Sequence, residues 1–276
     1  AEDRGSDLLV FPELFLPGYP PEDLMLRLSF LRENRKYLQK FAQHTRNLGV
    51  TVLMGFIDSD EDAYNAAAVV KGGEILGVYR KISLPNYGVF DERRYFKPGE
   101  ELLVVKIGNI KVGVTICEDI WNPVEPSASL SLGEGVHLIA NLSASPYHVG
   151  KPVLRKDYLS MKAYDYHVAM AYCNMVGGQD ELVFDGGSMV VDASGKVINY
   201  GKLFEEEIIT VDLDLDENLR VSLVDPRRRY MKTQNYPVKT VEAGNLREKT
   251  GHFEPVVNPL PVREEEMFRA LITGLR

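Results

Sequence analysis

Apolar positions fall along this chain in short runs of two kinds, and their alternation predicts the class of fold. Asp7-Leu-Leu-Val-Phe11 is an unbroken run ending at Pro12-Glu13, the pattern of a buried strand that stops at a carboxylate. Beyond a loop marked by Pro17-Gly18 and Pro20-Pro21, Leu24, Leu28, Leu31, Tyr37, Leu38 and Phe41 recur at helical spacing as far as Gly49. One long helix is expected there, with room for a break near Ser29. Val50–Ile57, Tyr64–Val70 and Glu74–Lys81 read as strands, the last two joined into a hairpin at Lys71-Gly72-Gly73. Leu102–Ile107 and Ile110–Cys117 repeat the hairpin around Gly108-Asn109. A helical stretch over Val124–Leu132 leads to a strand at Val136–Leu142, a helix at Lys151–Tyr166 and a strand at Val168–Asn174. Gly187–Asp192, Lys196–Tyr200 and Glu207–Leu213 form an expected closing antiparallel set, and a Pro-interrupted remainder ends in a short helix, Glu264–Leu275. Strands that alternate with helices and also form hairpins predict an α/β fold, with one large mixed sheet or two stacked sheets covered by helices.

Composition adds limits. A 276-residue chain with 45% hydrophobic and 26% charged residues is globular, and buries roughly three quarters of its unfolded surface without needing disulfides or a structural metal. A net charge of -8 removes the electrostatic footprint of nucleic-acid binding, and the basic run Arg227-Arg228-Arg229 reads as a solvated loop. No apolar run approaches the ~18 residues of a membrane span, and Ala1–Asp7 has no apolar signal segment. A cytoplasmic protein with neither membrane nor nucleic-acid partners is expected. The two cysteines, Cys117 and Cys173, sit in apolar runs, which fits a reducing compartment and leaves each as a core thiol or a reactive one.

Familiar phosphate-loop, dinucleotide, zinc and serine-elbow motifs are missing, and the five histidines show no metal spacing. No metal site is expected. What remains is a trio of polar residues at the ends of apolar strands: Glu13, Lys81 and Cys117. Ligands gather at such carboxyl ends in open sheets. Each residue alone is readily structural, since Glu and Lys cap strands and Cys is often buried. Together they make acyl-transfer chemistry without histidine. A thiol with a reference pKa of about 8.5 needs a base, which Glu13 can be. Lys81 and the backbone N–H of Glu118 can stabilise the oxyanion formed when a thiolate attacks an amide. Cys173 has no acid or cation at a matching strand end and reads as core, and Ser188, after Gly186-Gly187, lacks the companions of a serine amidase.

The stretches Phe-Pro-Glu13-Leu, Tyr-Arg-Lys81 and Ile-Cys117-Glu-Asp-Ile-Trp resemble the nitrilase superfamily of carbon–nitrogen hydrolases. Gly18-Tyr-Pro-Pro-Glu-Asp-Leu24, Leu84-Pro-Asn-Tyr-Gly-Val-Phe-Asp-Glu92, Ser145-Pro-Tyr-His-Val-Gly-Lys151 and Gly177-Gly-Gln-Asp-Glu-Leu-Val-Phe-Asp-Gly-Gly187 look like the glutaminase domains of glutamine-dependent NAD synthetases. The resemblance runs from about Asp7 to Leu215. It implies a nitrilase-like four-layer α-β-β-α sandwich with two stacked mixed sheets. It also implies hydrolysis of L-glutamine to glutamate and ammonia, with Cys117 as nucleophile, Glu13 as general base, Lys81 as oxyanion cation and Tyr87, Ser145 and Lys151 as glutamine contacts. Lys151 adds a small signal of its own, because a cation in the first turn of a helix opposes the macrodipole and a local anion would rationalise it.

The glutaminase step implied needs no cofactor. ATP and magnesium belong, on the same resemblance, to a synthetase domain that amidates deamido-NAD and whose Ser-Gly-Gly-x-Asp-Ser loop is not in this sequence. Residues 1–260 are then the glutaminase domain, without the first strand and helix of the family, and 261–276 the connector helix toward the synthetase domain. A homo-oligomer is implied as well. Two alternatives stay open at this point: a free-standing amidase acting on another small amide, and a catalytically silent scaffold.

Overall fold

The computed structural model describes residues 1–225, 230–249 and 251–275, so the basic run at 227–229 lies outside the described residues. In chain order the elements begin with β1 (Leu8–Val10), α1 (Leu28–His44), β2 (Thr51–Ser59), β3 (Ala63–Lys71), β4 (Glu74–Arg80), β5 (Leu102–Ile107) and β6 (Ile110–Ile116). They continue with α2 (Glu118–Trp121), β7 (Leu138–Ser143), α3 (Lys151–Tyr166), β8 (Ala169–Asn174), β9 (Val176–Gln179), β10 (Leu182–Asp185) and β11 (Met189–Val191). The last are β12 (Val197–Tyr200), α4 (Asp216–Val224), β13 (Val238–Glu242) and α5 (Arg263–Leu275).

Two mixed sheets result, one of four strands in the order β1-β2-β3-β4 and one of seven in the order β12-β11-β8-β7-β6-β5-β13, with β9 and β10 as a separate hairpin. β1 pairs parallel to β2, and β6, β7 and β8 are mutually parallel in the larger sheet. Side-chain alternation along the strands sets the layers. Leu53, Ala67, Val69 and Tyr79 of the smaller sheet meet Val105, Val112, Val114, Ile116, Ala140 and Leu142 of the larger one. Val52, Met54 and Phe56 point the other way, onto Leu38 and Ala42 of α1. The outer face of the larger sheet, with Val104, Ile139, Met170 and Val191, packs on Leu159, Ala163 and Tyr166 of α3. The order is therefore α1, sheet, sheet, α3: the expected four-layer α-β-β-α sandwich. Both faces of the central strands are covered, so their sequences read as continuous apolar runs. Each fully buried Val, Leu or Met contributes roughly 1.5–3 kcal/mol.

Two glycines admit the chain segments that carry functional side chains. A Cβ on Gly55 would lie 2.3 Å from the carbonyl of Pro12 and 2.4 Å from the nitrogen of Leu14, so only glycine lets the Glu13 segment cross β2. A Cβ on Gly99 would lie 2.2 Å from the carbonyl of Arg80, and the Gly99 N–H donates to the Lys81 carbonyl at 2.7 Å.

Several expectations are corrected. The long helix is divided close to the allowed break, at Arg27 and not Ser29; Arg27 is extended at φ -99 and ψ 109 between a 3₁₀ turn (Glu22–Leu26) and α1. Val124–Leu132 gives a π-helical turn at Ser129–Gly133; Pro123 and Pro126 interrupt the start, and the Glu125 carboxylate draws in the Ser129 and Gln234 N–H groups. Glu207–Leu213 is not a strand. The edge it would have joined is met at Tyr200 by Val256 and Asn258, whose backbones bond to it from the far end of the chain. Strand β13, unforeseen, adds parallel to β5, and α4 and the β9–β10 hairpin were likewise unforeseen.

Candidate active site

The sharp turn after β6 is built under strain. Cys117 has φ 39 and ψ -97, a region that a residue with a Cβ occupies only when its surroundings impose it. Leu14, just after Glu13, is also at positive φ, 44°. Asp119, fully buried, supplies one constraint by accepting from the Ile116 N–H at 2.9 Å, the Ser83 N–H at 2.8 Å and the Tyr79 hydroxyl at 2.7 Å. Burial raises its carboxyl above the ordinary range, opposed by those three donors. The Cys117 N–H donates to the Leu142 carbonyl at 2.8 Å. Cys117 occupies the N-cap position of α2 without a side-chain capping bond, next to the first N–H groups, which in any helix have no intrahelical acceptor.

Glu13 and Lys81 leave the carboxyl ends of β1 and β4 and meet. Lys81 Nζ lies 2.7 Å from Glu13 Oε1 and 2.8 and 2.9 Å from the two carboxylate oxygens of Glu92. All three side chains are buried. Asn65 Nδ2 donates to Glu13 Oε1 at 2.7 Å, the Ala144 N–H to Glu13 Oε2 at 2.9 Å, and the Tyr19 hydroxyl to Glu92 Oε1 at 3.0 Å. The bond from Ala144, one residue past β7, ties the end of the larger sheet to the smaller one. Burial would push the Lys81 ammonium down, but Glu13 and Glu92 more than offset it and its pKa rises well above the usual value. The buried Cys117 thiol is pushed up, first by desolvation and then by Glu13, with Lys81 and Lys151 acting against it. A buried thiol on which a carboxylate and an ammonium both act has the group types that nucleophilic acyl transfer requires.

Glu92 was quoted within a family phrase but had no role assigned from the sequence. Burial pushes its carboxyl up to about 7, against the pull of Lys81. Its proton is therefore held in the folded chain after the unfolded chain has released it, so its contribution to stability is complete below the ordinary carboxyl value of 4.5 and lost as pH rises through about 7. The difference in Tm between the chain and Glu92→Gln is expected to fall as pH is raised from about 5 to about 8. A difference independent of pH would show that Glu92 titrates normally.

Of the expected glutamine contacts, Tyr87 is 57% exposed and stands at the rim, its hydroxyl donating to the Glu118 carboxylate at 3.0 and 2.9 Å. Ser145 is buried just beyond β7, its N–H donating to Asn174 Oδ1 at 2.9 Å. Asn174 in turn donates to the carbonyl of Gly186 at 2.9 Å, which also accepts from Arg155 at 3.1 Å. Arg155 forms a fully buried pair with Asp185 at 2.6 Å. Lys151 opens α3, donates to the Pro146 carbonyl at 2.8 Å and lies 5.8 Å from the centre of the Trp121 ring. Burial lowers its pKa. Asp185 and Glu118 are the carboxylates whose charges act on it, and at the same helix start the Gly150 N–H donates to Glu266 of α5 at 3.1 Å.

Residues 1–218 match the carbon–nitrogen hydrolase family. The chain belongs to that family. Over all 276 residues this carbon–nitrogen hydrolase is 99% identical to the glutamine-dependent NAD(+) synthetase of Thermotoga maritima, of which it covers 48%. The solved structure of glutamine-dependent NAD+ synthetase from Acinetobacter baumannii, in complex with ADP, is 35% identical and superposes with a TM-score of 0.75 over 98% of this chain and 44% of that one. An amidase from Nesterenkonia with acrylamide added at its active-site cysteine is 26% identical, with a TM-score of 0.66 over 83% of this chain and 88% of that one. The chain spans about half the length of the curated relatives it matches.

Asn65, Asp119 and Tyr19 were missed as site residues along with Glu92. Asp119 alone had a local signal, lying two residues past the proposed nucleophile. The other three come from separate elements and meet only in the folded carbon–nitrogen hydrolase.

Proposed function

We propose that this chain is the glutaminase region of a glutamine-dependent NAD synthetase. The observation that carries the reading is the buried contact of Lys81 with Glu13, two groups whose charges both act on the thiol of the strained cysteine turn. In the proposed reaction Glu13 takes the Cys117 proton as sulfur attacks the glutamine carboxamide carbon. The oxyanion is met by the Glu118 N–H and by Lys81, whose three donors leave one free when Glu13 takes one and Glu92 shares another. The proton passes to the leaving nitrogen, ammonia departs and a thioester remains. Water, deprotonated by Glu13, cleaves the thioester and returns the thiol. No cofactor enters these steps. Raising the thiol pKa by burial makes a base that takes its proton necessary.

The rest of the reading concerns what the chain feeds. Ammonia would serve ATP- and magnesium-dependent amidation of deamido-NAD in a synthetase domain, with residues 1–260 as the glutaminase domain, 261–276 as the connector and a homo-oligomer as the working form. The test is ammonia release from glutamine, asparagine and simple amides. A strong preference for glutamine is expected; a flat profile would favour a general amidase. In this reading Lys151 pairs with the substrate α-carboxylate, and Ser145 and Tyr87 contact the rest of the substrate's polar end. Lys151→Met is expected to raise the KM for glutamine by about tenfold to a hundredfold with a smaller change in kcat, the loss of a charge-assisted hydrogen bond. An unchanged KM in initial-rate measurements would remove Lys151 from the binding site.

A further inference from the structure

Helix α3 turns one face toward the segment that leaves the cysteine turn. Tyr158, Lys162 and Tyr166 are four residues apart and so stack on that face. Their polar ends meet consecutive carbonyls. Lys162 Nζ donates to the Ile120 carbonyl at 2.6 Å and also to that of Asn122. The Tyr158 hydroxyl donates to the Trp121 carbonyl at 2.9 Å, and the Tyr166 hydroxyl to those of Pro123 at 2.8 Å and Val124 at 3.4 Å. These carbonyls belong to the end of α2 and its exit, where a helix leaves acceptors unsatisfied. Lys162 is 4% exposed. Among the described residues its hydrogen bonds go to carbonyls, and its ammonium lies 5.6 and 5.8 Å from the ring centres of Tyr158 and Tyr166. A cation at a helix C-terminus is favourable, but burying one without a bonded carboxylate is costly, and nothing in the acyl-transfer steps uses it.

We propose that charged Lys162, flanked by Tyr158 and Tyr166, is a positioning residue that holds α2 so that Cys117 keeps its strained conformation and the Glu118 N–H stays aimed at the oxyanion. The proposal rests on the acyl-transfer reading of the site. Asp119 secures the entry to α2 through Ile116, Ser83 and Tyr79, and Lys162 secures its exit, so the two ends of a four-residue helix are fixed from opposite sides. Trp121 stacks on Tyr158 with ring centres 5.0 Å apart and planes at 18°, and Lys151 stands by the same Trp121 ring. One helix thereby sets both the cysteine turn and the proposed carboxylate-binding lysine. Burial pushes the Lys162 ammonium down to about 8, with Asp119 and Glu125 the carboxylates that face it. Of its phenol neighbours, Tyr166 is pushed up to about 12 by burial and Tyr158 is raised too, so near pH 8 it is the lysine that loses charge.

The experiment measures kcat and KM for glutamine against pH, per mole of folded chain, for the unsubstituted chain, Lys162→Met and Lys162→Arg. Lys162→Met is expected to lose about tenfold or more in kcat with KM within about twofold, the scale of a small displacement of reacting groups. Lys162→Arg is expected to recover most of kcat and to move the alkaline loss of activity upward from about pH 8. Unchanged kcat in the methionine variant, or an alkaline limb in the same place for lysine and arginine, overturns the proposal. If Lys162→Met does not fold, the pH profiles of the chain and of Lys162→Arg decide alone. If the unsubstituted chain releases no ammonia from glutamine, it is the glutaminase reading that fails. The positioning proposal is then read from alkylation of Cys117 by iodoacetamide at neutral pH, expected to be about threefold or more slower in Lys162→Met because thiol and base no longer align; an equal rate overturns it.

Discussion

Cys117→Ala is expected to lower glutamine hydrolysis by about four orders of magnitude or more, the scale on which loss of a nucleophile exceeds loss of any single helper. The thiol is 3% exposed and small, and alanine meets the same backbone constraint at φ 39, so the fold is expected to survive with only a small change in Tm. Ammonia release measured alongside thermal unfolding separates lost chemistry from lost structure. A residual rate within about tenfold of the unsubstituted chain would remove Cys117 from the reaction. Iodoacetamide provides an internal control. Cys173 has its sulfur 3.2 Å from the Val10 carbonyl and, like Cys117, is pushed up by burial, to about 12, but no carboxylate acts on it as Glu13 acts on Cys117, so modification is expected to be faster at Cys117.

Lys81→Met carries the second large effect, on stability as well as rate. It would leave Glu13 and Glu92 buried at the same point without their cation, and removing one partner of a buried pair costs about 3–5 kcal/mol. For a chain of this size that is a fall in Tm of about 10 °C. Activity is expected to drop by about a hundredfold to a thousandfold, as when an oxyanion donor is lost. Pairing the change with Glu13→Gln removes one of the stranded charges, so the double variant is expected to regain part of the Tm and none of the activity. If Lys81→Met unfolds at the same temperature as the unsubstituted chain, the three charged groups do not depend on one another as their 2.7–2.9 Å contacts imply.

The ends of strands were legible because a covered strand has a sharp sequence boundary. Apolar runs stop at Glu13, Lys81 and Cys117 where the chain leaves the core. The helix at Lys151–Tyr166 was legible to the residue, since Gly150 precedes it and Pro152 fits its first turn. Glu207–Leu213 was misread because alternating apolar residues fit a strand only if an edge is free, and the backbone near Val257 already meets Tyr200. The same remoteness hid β13, whose partner β5 lies more than a hundred residues earlier.

The sequence by itself determined the α/β class, the strands that end in Glu13, Lys81 and Cys117 and the residue types of the proposed acyl-transfer set, because burial on both faces and the demands of a thiol nucleophile are written locally. Only the tertiary structure decided that Glu92 and Asn65 join Glu13 and Lys81, that Asp119 bears on the cysteine turn, and that Lys162 spends a buried charge on the carbonyls of α2. Those are properties of distance in the fold. A charge or amide costs several kcal/mol to bury unpaired, and which partner relieves that cost depends on which strand ends the two sheets bring together.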